Sequence, residues 1–323
     1  MNNLKKIGLT ALAASLVSTS VFAGEVTVAG SASMTVEGYS GTGLDAGKGF
    51  SMGNQLTFTG GGELDNGMTV EISFILDQGD EGTTGSATSP FDSHSVSIES
   101  DAMGKLVMHG EGGSNAQAAL DTTAAGDIWD TFDGASVGTT VSSSTSGADI
   151  LVYTLPSMVD DLSVSVSYSP QSGSATTAAS STAYGLTYTG VEGLSVSYGK
   201  GESEADSTEQ ADTTTMKAEY IYSSLTVAYS NNDHATELAS EDQETTSYKV
   251  SYTVSDAISV SYGSEEIDEE GDALDAEFKE IELTYTSGGM TLTATSAEST
   301  DALHSSGTGD DRDYWALGLA FAF

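Results

Sequence analysis

The chain has 323 residues, of which 9 are basic, 48 acidic and none cysteine, for a formal net charge of -39. That balance repels polyanions and excludes nucleic acid as a partner, while the absence of cysteine removes disulfide frameworks and thiol nucleophiles together. Beyond residue 23 no segment approaches the roughly 18 consecutive apolar residues of a membrane-spanning helix.

The N-terminus reads as an export segment. Lys5 and Lys6 form a basic region, Ile7 to Val17 an apolar one, and Val21-Phe-Ala23 a small-residue cleavage site before Gly24. Residues 1–23 are therefore expected to be a signal peptide and 24–323 the mature domain. Removing that segment takes away two lysines and no acid, leaving 7 basic and 48 acidic residues, a net -41.

Six strands are expected first: Val26 to Tyr39, Phe50 to Glu63, Met68 to Asp77, Phe91 to Glu99, Lys105 to Glu111 and Asp149 to Leu155. Between the last two, residues 113–147 form a connection far longer than usual. It contains Asp127-Ile-Trp-Asp-Thr-Phe132. A loop wholly in solvent rarely carries Ile128, Trp129 and Phe132 together, so something must bury them, either the inside of the fold or neighbouring outer loops.

From residue 162 a repeat sets in. Leu162, Leu194, Leu225, Ile258 and Met290 open similar segments, 32, 31, 33 and 32 positions apart, such as Leu162-Ser-Val-Ser-Val-Ser-Tyr168. Apolar side chains alternate with small or hydroxyl ones, the period of a strand with two unlike faces. A second series lies between them: Tyr184 to Tyr188, Met216 to Tyr220, Tyr248 to Tyr252 and Ile281 to Tyr285. The unit is a β-hairpin of strands about 10 residues long, the span of a tilted membrane strand.

Connections alternate too. Ser223-Ser224 and Ser255-Asp256 are tight turns, whereas long acidic loops are expected at Gly201 to Asp212, Asn231 to Glu244, Ser264 to Ala273 and Ser299 to Asp310. Short turns on one rim and long loops on the other describe an up-and-down barrel. The final strand, Arg312 to Phe323, puts Trp315, Leu317, Leu319, Phe321 and Phe323 on one face, and looks like the C-terminal sorting signal of outer-membrane proteins. The expected fold is all-β: a membrane-spanning antiparallel barrel of about 16 strands, with the Leu162 series facing lipid or a neighbouring subunit. The acids crowding the expected loops either keep the surface solvated or impose a cation-attracting field over a pore mouth. Divalent cations on these loops are a weaker reading, because Asp268 to Asp275 lacks the spacing of a calcium loop; no other cofactor is expected.

The chain resembles a Gram-negative general porin of the acidic, sixteen-stranded, trimeric type. The resemblance is carried by Gly24-Glu-Val-Thr-Val-Ala-Gly30, the terminal Phe323, and Met103-Gly-Lys-Leu-Val-Met-His-Gly110, which is similar to the turn and strand before the constriction loop in those proteins. It implies passive diffusion of small hydrophilic solutes through an outer-membrane homotrimer set among lipid and lipopolysaccharide. It also implies that the 113–147 loop folds inward and presents Asp121, Asp127, Asp130 and Asp133 at the constriction. The small outward residues Gly30 and Ala32 are the expected seat for subunit contact.

The departure is a shortage of cations on the wall facing that loop. Lys217 and Lys249 share a register with parity opposite to Met216 and Tyr248, and a lipid-facing Lys at mid-depth costs about 2–4 kcal/mol. They should therefore face the lumen or sit wet at a rim; Glu219 and Arg312 complete the candidate pore wall, with Lys105 a further base. Cation preference is the expectation. No enzyme is expected: His94, His109, His234 and His304 are scattered, and no Ser, His and acid mark a converging site. The competing reading is a secreted or surface-layer β protein with divalent ions bridging its acidic loops.

Overall fold

The computed structural model describes residues 26–41, 47–77, 91–133, 146–170, 180–204, 210–237, 242–272, 274–302, 304 and 311–323. The expected export segment, residues 1–23, lies outside them. Sixteen strands form one closed antiparallel barrel. In chain order these are β1 (Thr27–Gly41), β2 (Gly47–Glu63), β3 (Thr69–Asp77), β4 (Phe91–Ser100), β5 (Gly104–Glu111), β8 (Ile150–Thr154), β9 (Leu162–Ser169), β10 (Ser180–Val191), β11 (Leu194–Glu204), β12 (Ala211–Tyr222), β13 (Leu225–Thr236), β14 (Gln243–Ser255), β15 (Ile258–Glu269), β16 (Ala276–Ser287), β17 (Met290–Thr300) and β18 (Arg312–Ala322). Two short strands, β6 (Gly113–Ser114) and β7 (Ser146–Gly147), pair with each other at the root of the long loop. The last barrel strand pairs with the first, from Ser31 opposite Ala322 to Gly41 opposite Arg312, so no sheet edge is left open.

Closure matters because lipid cannot satisfy backbone N–H and C=O groups. Once the ladder does so, the alternation sorts side chains by solvent. On β9, Val166 and Tyr168 are exposed outward, while Ser167 and Ser169 are buried inside. Val227, Tyr229, Val250, Tyr252, Ile281 and Leu283 continue the outward apolar surface. The core of this protein is thus not between sheets but between the barrel wall and the loop it encloses.

The strands run further than the sequence pattern suggested. β11 continues to Glu204, β13 to Thr236 and β15 to Glu269, so Glu202, Asp233, Glu244 and Glu265 lie on strands, not in the long loops expected there. The apolar alternation ends where the lipid ends, but the ladder continues above it, where polar side chains cost nothing.

One expected contact seat is already filled. The Phe323 ring lies over Gly30, so that closely that a side chain there would collide with it. The Gly30 backbone N–H donates to the Phe323 carbonyl at 2.7 Å, and the return bond is 2.9 Å. The small residue serves the closure of the barrel, leaving no groove at Gly30 for a neighbour.

Candidate pore constriction

Residues 113–133 of the long loop turn inward and lie along the inner wall. This stretch leaves β5 and touches in succession β9, β12, β13, β14 and β15, then β18 and β1. The Ala116 N–H donates to Ser167 Oγ (2.9 Å), the Ala124 N–H to Ser230 Oγ (2.8 Å) and the Ala125 N–H to Ser247 Oγ (2.9 Å). The Gln117 side chain donates to Thr215 Oγ1 at 2.7 Å, and Asn232 donates to the Asp121 carbonyl at 2.7 Å. The hydroxyls that the strand pattern placed on the inner face are therefore acceptors for the loop's backbone, which would otherwise be buried unpaired.

Close approach is sterically prepared. A Cβ on Gly185 would lie 2.5 Å from the Ala116 carbonyl oxygen, and one on Gly263 2.9 Å from Ala125 Cβ and 3.0 Å from Ile128 Cδ1. Wall side chains at these positions would hold the loop off.

The loop is also internally tied. Asn115 Oδ1 accepts from the N–H groups of Gln117 (3.0 Å) and Ala118 (2.8 Å). Thr123 Oγ1 accepts from the N–H groups of Gly126 (3.1 Å) and Asp127 (2.8 Å), and Asp127 Oδ1 accepts in return from the Thr123 N–H (2.9 Å). This reciprocal capping leads into the single helical turn Asp130–Asp133. It also holds Asp127 at φ 61.

Glu265 is the anchor that sequence reasoning missed. Its side chain is 1% exposed, and its carboxylate accepts from the Thr123 hydroxyl and from the Trp129 N–H at 3.0 Å. Beyond it, Ile128 and Phe132 enter an apolar cluster with Ile267, Ala276, Phe278, Ala297 and Ala302. The Phe132 and Phe278 rings are 5.7 Å apart, and Tyr39 Oη donates to the Thr131 carbonyl at 2.9 Å. The burial demanded by Ile128, Trp129 and Phe132 is met inside the barrel rather than among outer loops.

The candidate residues fall as follows. On the loop, Asp130 is exposed, Asp121 and Asp127 are half-buried, and Asp133 ends the helical turn. Lys217 and Lys249 both point inward. The Lys217 ammonium donates to the carbonyls of Thr122 (2.8 Å) and Thr123 (3.4 Å), and that of Lys249 to the Ala125 carbonyl (3.1 Å). They sit on the same side as the loop, not across from it. Glu219 shares the inner face of β12 with Lys217. Arg312 opens β18 at the outer end of the barrel and is 8% exposed, remote in register from the mid-height wall. Lys105 is 3.8 Å from Glu99 on the inner face near the tight-turn rim.

The far arc of the wall is the other half of the passage. Inward positions on β2 to β4 are Ser51, Gln55, Glu71, Ser73 and Ser95. Among the described residues, no basic side chain faces the lumen from this arc. Glu280 and Glu282 place two further carboxyl groups on the inner face of β16.

A closed sixteen-stranded barrel with an enclosed loop is the architecture of a diffusion pore, and the family comparison decides the matter. Residues 8–323 match the family described as Gram-negative porin. The chain belongs to the Gram-negative porin family. No curated protein sequence matches it significantly. Among solved structures, this porin is similar to the anion-selective porin from Comamonas acidovorans (14% identity, TM-score 0.69, covering 93% of this chain and 99% of that one). It is also similar to a porin refined at 1.8 Å resolution (19%, 0.67, 93% and 100%) and to Salmonella typhi OmpF in complex with daunomycin (14%, 0.66, 93% and 98%). At these identities the likeness carries the fold and not the selectivity. This porin is an integral β-barrel of the Gram-negative outer membrane; family and fold are those of non-enzymatic solute channels.

Proposed function

We propose that this porin is a cation-preferring passive channel for small hydrophilic solutes, working as a homotrimer. The observation that supports the preference is the asymmetry of charge around the passage. Its inward lysines at mid-height, Lys217 and Lys249, are drawn against the loop's carbonyls, and the facing arc offers Glu71 and hydroxyls instead of bases. The loop aspartates Asp121, Asp127 and Asp130, with Glu219 and Glu282 on the wall, then set the sign of the field inside a low-dielectric frame. Acids on the distant rim contribute less, because salt screens them over about 8–10 Å. A reversal potential in a salt gradient across a planar bilayer tests the sign, and an anion-selective wild type would refute it.

Trimer formation is supported by the distribution of tyrosine. Outward-facing tyrosines, which mark membrane–water interfaces, run from Tyr153 on β8 to Tyr285 on β16; the inward Tyr39 and Tyr314 stand apart. Among the described residues no tyrosine faces outward on β17, β18 or β1 to β5. That arc instead exposes Met34, Phe50, Met52, Ile72 and Met108. An apolar arc whose interfacial girdle is reduced to Trp315 on β18 suits a second copy better than a lipid headgroup boundary. In mild detergent the native mass is expected to be three times that of the chain, and Met52→Lys to reduce it; a monomeric wild type would remove the proposal. The surface-layer reading is not favoured by the closed barrel and the family match.

A further inference from the structure

The outer rim holds a group of side chains that the passage does not use. Glu269 ends β15, Asp272 follows in the connection to β16, and His304 lies between β17 and β18. Ala302, fully buried in the cluster that receives Phe132, pins this last connection to the barrel. The chain then turns through His304 at φ 52, with the His304 N–H donating to the Asp301 carbonyl at 2.8 Å. A left-handed backbone at a non-glycine residue is uncommon and is held only by its surroundings. Here it drives the imidazole inward, leaving it 6% exposed.

The ring's hydrogen bonding fixes its chemistry. Nδ1 lies 3.0 Å from the Leu274 carbonyl oxygen. A carbonyl only accepts, so Nδ1 carries the proton in that bond. Nε2 is buried with no hydrogen-bond partner among the described residues. Glu269 Oε2 is 3.9 Å from it, and Asp272 Oδ2 is 3.8 Å from Nδ1. At 3.9 Å the carboxylate is too far to accept a hydrogen bond, so a protonated Nε2 would be a buried donor without an acceptor. A neutral ring leaves a buried lone pair facing a carboxylate across a gap, and a cation satisfies both.

We propose that His304, Glu269 and Asp272 form a site for one divalent transition-metal ion of the Zn²⁺ class. A ligand atom from each lies within 4.8 Å of the others. Donors around a tetrahedral Zn²⁺ stand about 3.4 Å apart, given metal–ligand bonds of about 2.0–2.2 Å, so Nε2 and Glu269 close on the ion with a shift of a few tenths of an ångström. Asp272, exposed at the rim and now on the Nδ1 side of the ring, supplies the second carboxylate by swinging towards Nε2, and water the remaining position. The Nδ1–H to carbonyl bond is the outer partner that ligating histidines commonly have. One nitrogen with two carboxylates selects a borderline metal over Ca²⁺ or Mg²⁺, which take oxygen ligands. The bound ion ties the β15–β16 connection to the β17–β18 connection at the outer mouth.

The test is titration of the folded mature porin in detergent with Zn²⁺ alone, against a background of excess Mg²⁺ that saturates the general acidic surface. One Zn²⁺ per chain is expected, with affinity reduced about tenfold or more in His304→Gln and in Glu269→Gln, a loss at least as large as those from outer-shell changes at metal sites. Glu269→Gln alters a partly exposed carboxylate and keeps the test decisive should the buried His304→Gln chain not fold. Unchanged Zn²⁺ uptake in either folded variant, or uptake abolished by Mg²⁺, would overturn the assignment.

Discussion

Replacing Glu265 with Ala is expected to loosen the constriction loop while leaving the barrel closed. The substitution removes the acceptor of two buried donors, the Thr123 hydroxyl and the Trp129 N–H. A buried donor left without a partner costs about 1–3 kcal/mol, so the loop's seating should weaken by about 2–6 kcal/mol. The sixteen-stranded ladder does not pass through this contact, and heat-modifiable gel mobility should still report a folded barrel. Single-channel recordings should show a larger open conductance with added noise, because a loop that leaves the wall part of the time no longer narrows the passage steadily. Glu265→Gln retains an acceptor oxygen and should fall between. A Glu265→Ala channel with the conductance and noise of the wild type would show that the loop is held by other contacts.

Phe132→Ala attacks the same loop through packing. Phe132 is fully buried among Ile128, Phe278 and Tyr314, and truncating a buried Phe costs about 3–5 kcal/mol when the site cannot collapse. Here the wall side of the cavity is fixed by the ladder, so collapse is restricted and the loss falls on the loop tip. Local opening, rather than global unfolding, is the expected result. Protease added to the folded variant should cut within the loop at a rate at which the wild type stays intact. Equal resistance of the two would contradict the packing account.

Much of the fold was legible because membrane strands carry a two-residue code. Leu162-Ser-Val-Ser-Val-Ser-Tyr168 and its successors state which face meets lipid, and the structure agrees at Val166, Tyr168, Val227 and Leu283. The code ends at the lipid boundary. Above it the ladder continues through residues such as Glu202, Asp233 and Glu244, whose polarity looks like loop. Glu265 reads as part of an acidic loop for that reason, although Ser259, Ser261, Gly263 and Glu265 keep the inward phase without a break. The loop's burial was legible from Ile128, Trp129 and Phe132, since apolar side chains must be covered. Its partners were not, because they lie far away in sequence: Thr123 meets Glu265 across 142 positions, and Lys217 meets Thr122 across 95. The family resemblance supplied the loop's inward course, and the sparse bases on the facing arc followed from counting cations. That Lys217 and Lys249 stand with the loop rather than opposite it follows only from the closed three-dimensional order of the strands.

The proposed control of the permeating ion's sign by carboxylates at the constriction is tested most directly by the reversal potential. A salt gradient across a planar bilayer should give a potential of cation-selective sign for the wild type. It should shrink as salt rises towards 1 M, where the screening length is about 3 Å. Asp127→Asn/Asp130→Asn should move it towards zero; Asn at 127 keeps an oxygen for the Thr123 N–H, so charge is removed with the local turn retained. A wild-type potential of anion-selective sign would contradict the account and assign control of the narrow point to Lys217 and Lys249.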